Sequence, residues 1–411
     1  MIQRVVLLCL PSNGPALMLS NSFPGSALRL QALDGFRGVA VLLVIVSHFP
    51  YAANFRGDGG YLVGLGDIGV RAFFVLSGFL ILSSLLRESE LTGRVSVRNF
   101  FVRRIFRLAP TYYTYLLVLL VLALFGIYSD DLSSWLGSFG YVRNILGNGR
   151  SATVHFWSLA IEAQFYIIWP FLYIAFCLQK TGRGVLVASV FIVGAVLIRF
   201  LHPEFVLGGN IFQRAFGSRS LLRYADSIAF GILGSYVFAW MRTRRNLSHE
   251  GEGVRLDLAL SQISLLYLPA LILLPNLHVV PIALLPTLQA LISTLLIADL
   301  VLGESLLSNI LRWMPMVFIG KISYSLYVWH FLFLSHFVLK LNVVGEEHPD
   351  WVFFIYDVNT WIIPSFLAAI LSYYFLEKPF FRLRGRLRNS WDSSCASERG
   401  ALLLLGLFMN V

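Results

Sequence analysis

The chain has 411 residues, of which 57% are hydrophobic and only 13% charged, with a formal net charge of +10. A soluble domain is about one-quarter charged, so this much apolar surface has no place in water and the chain reads as an integral membrane protein. No soluble basic domain accompanies the positive charge, which argues against nucleic-acid binding, and Cys9, Cys177 and Cys395 are too scattered for a metal set or a disulfide framework.

Apolar stretches of membrane-crossing length follow one another at 36–54, 67–86, 108–127, 157–178, 185–201, 224–241, 256–274, 281–302, 316–339 and 357–377. At ~1.5 Å per residue, about 20 residues cross ~30 Å of hydrocarbon. The stretch at 185–201 is short, and Pro269 interrupts the one at 256–274. The expected fold is all-α, a polytopic membrane bundle of about ten transmembrane helices forming one domain over residues 33–385. Residues 1–32 are expected to form a poorly ordered N-terminal tail and 386–411 a C-terminal tail. "VVLLCLP" in the first tail and "ALLLLGLFMNV" in the second are too short to span, and the former lacks a small-residue cleavage site. Lys and Arg concentrate in alternate loops, 19 on one side against 6 on the other, which predicts that both termini are cytoplasmic.

The first span contains "RGVAVLLVIVSH", Arg37 to His48. Eleven helical steps of ~100° bring these two residues back to one face, ~16 Å apart along the axis. The predicted topology puts Arg37 at the cytoplasmic mouth and His48 beyond the midplane. A buried imidazole there reads either as a general base or as a packing histidine bonded to a backbone carbonyl. Asp34 is placed to pair with Arg37 across i, i+3.

"FFVRRIFRLAP" leads into the third span. Arg104 and Arg107 project together at i, i+3, and Arg103 can join them at i, i+4. Guanidinium forks suit phosphate oxygens, although arginines at a cytoplasmic helix end also simply set topology. In "HFWSLAIEAQFYIIWP", His155 and Glu162 share a face, and Glu162 lies about two turns inside the membrane. The topology puts Glu162 and His48 in the same half of the bilayer, which permits a carboxylate–imidazole pair. In "GKISYSLYVWHF", Ser323, Tyr327 and His330 form one stripe that reads either as a polar cavity lining or as interhelical glue.

Taken in order, these segments resemble the acyltransferase 3 family of membrane acyltransferases. "LDGFRGVAVLLVIVSH" is similar to its first-helix motif, "GVRAFFVLSGFLI" to its second, and "RRIFRLAP" to its arginine-x-x-arginine motif. "WSLAIEAQFYIIWP", "GKISYSLYVWH" and "FLEKPF" resemble three further signatures, so that the resemblance spans about residues 30–385. Arg71 and Ala163 depart from the family pattern, standing where an acidic or polar residue and a second glutamate are common. Some members carry an additional C-terminal extracytoplasmic domain, which this sequence is expected to lack. The resemblance implies an O-acyltransferase of a bacterial cytoplasmic (inner) membrane. It would move an acyl group, commonly acetyl, from cytoplasmic acyl-coenzyme A to a hydroxyl of an exopolysaccharide, a lipopolysaccharide O-antigen or a glycolipid. In that reading His48 and Glu162 are catalytic, and Arg37, Arg104 and Arg107 bind the coenzyme. Tyr327 and His330 contact substrate, no metal takes part, and the partners are acyl-coenzyme A, a carbohydrate acceptor and membrane lipids. His48 could serve as a base or as an acyl-carrying nucleophile. The alternative reading is a multi-pass transporter or flippase, which would also bury ionisable groups near the midplane but would show repeated halves.

Overall fold

The computed structural model describes residues 26–49, 60–147, 151–177, 181–201, 219–247, 280–302, 305–338 and 358–385, with short pieces at 265–267, 269–271, 273 and 355. These residues are all-helical, with no strands among them. The order is α1 (Ser26–Ser47), α2 (Gly60–Thr92), α3 (Val97–Leu124), the short α4 (Leu132–Phe139) and α5 (Phe156–Leu172). There follow α6 (Thr181–Leu201), α7 (Leu221–Leu247), α8 (Leu285–Leu302), α9 (Leu306–Leu311), α10 (Met314–Val338) and α11 (Ile363–Ser372). A π-helical turn extends α5 over Tyr173–Cys177, and two more flank α11 at Val358–Ile362 and Tyr373–Glu377.

Local chemistry sets several ends. Ser96 caps α3 by accepting from the amide of Asn99, and Asp131 caps α4 through the amide of Ser134. Gly126, at φ 70°, turns the chain out of α3 in a conformation that other residues rarely adopt.

Seven helices among the described residues are long and apolar enough to cross a membrane: Leu30–Ser47, Gly64–Thr92, Val97–Leu124, Phe156–Phe176, Gly182–Leu201, Met314–Leu334 and Val358–Gly385. The expected count of about ten is therefore not confirmed among the described residues. α7 has the length, but Asp226, Ser227 and Ser235 dilute its apolar character. The expected span at 281–302 contains a shorter apolar helix, Leu285–Val301, and 256–274 lies largely outside the described residues. Leu186, Val190, Val193 and Leu197 form an exposed stripe along α6, as a lipid-facing helix requires.

α1 sits between α2 and α10, α2 also packs on α7, and α7 packs on α6 and α8. Small residues set these approaches. A Cβ added at Gly320 of α10 would strike the carbonyl oxygen of Asp34 in α1, and one at Gly231 of α7 would strike that of Val75 in α2. Gly231→Val should therefore overpack the α2–α7 crossing and destabilise the fold by about 1–3 kcal/mol, read as a lower thermal midpoint in detergent.

Polar groups reinforce the same bundle. Arg199 of α6 bonds Asp226 of α7 at 2.6 Å, the Arg223 carbonyl at 2.7 Å, the Ala283 carbonyl at 2.9 Å and Thr287 of α8 at 2.6 Å. Arg71 of α2 bonds Asp67 at 2.6 Å and lies 3.9 Å from Asp226. Arg71 thus has its acidic partners supplied by other positions of this chain.

Candidate active site

A cavity of about 720 Å³, its open mouth included, lies between α1, α2, α3, α5 and α10. Its polar lining comes from Arg37, Ser77, Arg104, Arg107, Ser158, Glu162, Tyr166, Ser323, Tyr324 and Tyr327, and its apolar wall includes Val70, Phe73 and Phe74. The three arginines singled out in the sequence thus share one space with Glu162 and Tyr327.

Each arginine is held differently. Arg37 bonds Asp34 at 3.0 Å, the local pair its spacing implied. The Arg104 guanidinium lies over the ring of Tyr166, 4.9 Å from its centroid, and 5.4 Å from that of Phe100. Its Nε is buried with no protein partner. Arg103, expected to join the pair, instead bonds Glu88 at 3.0 Å. Glu162 accepts from the Ser77 hydroxyl at 2.5 Å and from the Tyr166 hydroxyl. The carboxylate is therefore linked through Tyr166 to the arginine end of the cavity.

The histidines gather elsewhere. The rings of His48 and His330 lie 5.1 Å apart between centroids, and those of His330 and His155 5.2 Å apart. Phe331 packs against all three. His48 Nδ1 lies 2.7 Å from the Val44 carbonyl oxygen. Because a carbonyl only accepts, this nitrogen carries the hydrogen, and in the neutral ring Nε2 carries the lone pair. His155, just ahead of α5, is about 10 Å from Glu162 along the chain axis at 1.5 Å per residue. The structure thus brings His48 beside His330, which in turn packs on His155, and Glu162 beside the arginines, whereas depth in the sequence had suggested a His48–Glu162 pair.

Between the two groups stands a hydroxyl pair. Tyr327 lies 2.5 Å from the Ser158 hydroxyl and donates to the His155 carbonyl at 2.9 Å. Tyr327 lines the cavity, while His330 is fully buried behind it. Sequence reasoning missed Ser77, Tyr166 and Ser158. Tyr166 stands four residues after Glu162 on the same helix face, and that spacing was the available signal.

Fold and cavity together define a polytopic helical membrane protein with a cationic internal site and histidines packed behind it. The chain belongs to a family of membrane acyltransferases: a family profile described as an acyltransferase domain matches residues 30–376. A candidate O-acetyltransferase of Staphylococcus aureus (strain MRSA252) is 30% identical over 392 residues, covering 89% of this chain and 59% of that protein. A candidate peptidoglycan O-acetyltransferase of Bacillus subtilis (strain 168) is 30% identical over 375 residues, 85% of this chain and 54% of that protein. A peptidoglycan O-acetyltransferase of Listeria monocytogenes is 28% identical over 377 residues, 85% of this chain and 55% of that protein. The chain thus spans less than two-thirds of the length of these relatives. No solved structure matches it.

Proposed function

We propose that this chain is a membrane O-acyltransferase that passes an acetyl group from cytoplasmic acyl-coenzyme A to a hydroxyl of a cell-surface carbohydrate. The supporting observation is the convergence of Arg37, Arg104 and Arg107 with Glu162, Ser158 and Tyr327 on one cavity. Asp34 pairs with Arg37 and Glu162 offsets part of the charge of Arg104 and Arg107, so the cavity keeps an excess of positive charge inside an apolar bundle, which the phosphates of a nucleotide thioester would meet. Arg104 and Arg107 hold the phosphates, Arg37 guides the pantetheine arm, and the first helix leads the thioester towards His48. There His48 takes the proton of the acceptor hydroxyl as its oxygen attacks the carbonyl carbon. Glu162, bonded by Ser77 and Tyr166, holds Tyr166 beneath the Arg104 guanidinium and shapes the donor path. Tyr327 and Ser158 meet the substrate where the two halves of the site join.

The names of the relatives favour peptidoglycan among acceptors, with other surface glycans and glycolipids in the same chemical class. In this reading the bundle lies in a bacterial cytoplasmic membrane with both termini inside. A transporter would leave the thioester intact, which separates the two readings. Full-length protein in detergent is expected to release free thiol from acetyl-coenzyme A in the presence of a soluble muropeptide and to add one acetyl mass to that probe. A muropeptide that stays unmodified beside intact thioester would refute the proposal.

A further inference from the structure

His330 and His155 have a feature that helix packing alone leaves unexplained. His330 Nδ1 lies 2.7 Å from the Tyr327 carbonyl oxygen, and His155 Nε2 lies 3.1 Å from that of Val328. Each of these nitrogens must carry the hydrogen, so His330 Nε2 and His155 Nδ1 carry lone pairs in the neutral rings. Both lone-pair nitrogens are buried with no protein partner. A buried acceptor left without a donor costs about 1–3 kcal/mol, and such groups are few in native structures. Here two occur in adjacent rings, and one of them, His330, also packs on His48. The rings of Tyr115 and Tyr327 face the cluster from α3 and α10. Outside it, Arg143 bonds Thr153 and the Leu146 carbonyl. Among the described residues no histidine or acidic group has the arrangement of a metal site.

We propose that His330 and His155 are positioning residues that share the proton taken up by His48, so that the three imidazoles form a proton relay behind the cavity. This rests on the reading of His48 as the base of an O-acyltransferase. The acceptor oxygen bonds to the carbonyl carbon of the acyl thioester, and its proton passes to His48 Nε2. From there it is shared with Nε2 of His330 and Nδ1 of His155, directly or through one water. When the carbon–sulfur bond breaks, the sulfur keeps the electron pair and the proton returns to it through His48. No other reagent is consumed. Spreading one positive charge over three rings lowers the cost of forming an imidazolium inside the membrane, where a single charged ring is expensive.

The test uses the full-length chain, acetyl-coenzyme A and the muropeptide probe. His330→Ala and His155→Ala should each lower kcat by roughly 10–100-fold, with KM for acetyl-coenzyme A changed less than about twofold. His330→Gln can still donate to the Tyr327 carbonyl but has no basic nitrogen, and it should be equally slow. Added imidazole should restore part of the rate to His330→Ala, and methylated imidazoles should restore it in order of their basicity. Pyrrole, of the same size without a basic nitrogen, should restore nothing. Equal rescue by pyrrole, or wild-type kcat in His330→Gln and His155→Ala, would overturn the relay while leaving the transferase reading in place. A wild-type protein that consumes no thioester would instead overturn the functional reading on which the relay depends.

Discussion

His48→Ala is expected to lower turnover by roughly 10²–10⁴-fold, the usual worth of general acid–base catalysis. His48 Nδ1 is committed to the Val44 carbonyl, which fixes the ring and presents Nε2 for the proton. Alanine removes that nitrogen while suiting a membrane helix, so the bundle should still assemble. Binding of acyl-coenzyme A should change little, because the cavity-lining arginines stand about three turns away on α1 or on α3. The measurements are kcat from thiol release and donor affinity from equilibrium binding, each on protein shown to be monodisperse in detergent. Near-wild-type turnover would exclude His48 as base and as acyl-carrying nucleophile alike. Loss of donor binding in step with turnover would instead indicate a displaced helix.

The second large effect concerns the donor. Arg104→Ala and Arg107→Ala should each weaken acetyl-coenzyme A binding by roughly 10–150-fold, since a charge-assisted phosphate contact contributes about 1.5–3 kcal/mol. Acetyl-pantetheine, which has the thioester but no phosphate, should bind each variant as it binds the wild type. Arg104 should be the less tolerant of lysine. Its planar guanidinium stacks on Tyr166, and an ammonium would lose both that face and the forked geometry. Equal losses for the two donors would mean that these arginines only set topology. The assay is competition binding with both thioesters at one fixed ionic strength, because charge contacts weaken with salt.

Contacts within one helix were legible in the sequence. The Asp34–Arg37 pair follows from i, i+3 spacing, and the joint projection of Arg104 and Arg107 from the same rule. Contacts between helices were not. A helix that is apolar on every side, as α2 nearly is, gives no stripe from which its rotation can be read. Depth alone therefore suggested His48 with Glu162, whereas helix rotation hands Glu162 to Ser77 and Tyr166 and gathers three histidines from distant parts of the chain. The span at 224–241 was over-read for a related reason. α7 has a hydrophobic core interrupted by polar residues that serve Arg199 and Arg71, and the sequence does not show such partners in advance.

The Arg199–Asp226 bond also bears on how the protein is made. Its two members are 27 residues apart in the chain. When α6 leaves the ribosome it carries an arginine near its end without its carboxylate, and a lone arginine costs up to ~3 kcal/mol at the centre of an inserting helix, less near the edge. At about 5–20 residues per second, the missing acid emerges within about 1–5 s. α6 is the most hydropathic of the seven spans and can hold that one charge near its edge meanwhile, but Arg199 stays without this carboxylate until α7 has emerged. The bond can therefore form only after both helices are made, and it acts as a clasp that closes late, when α7 docks on α6.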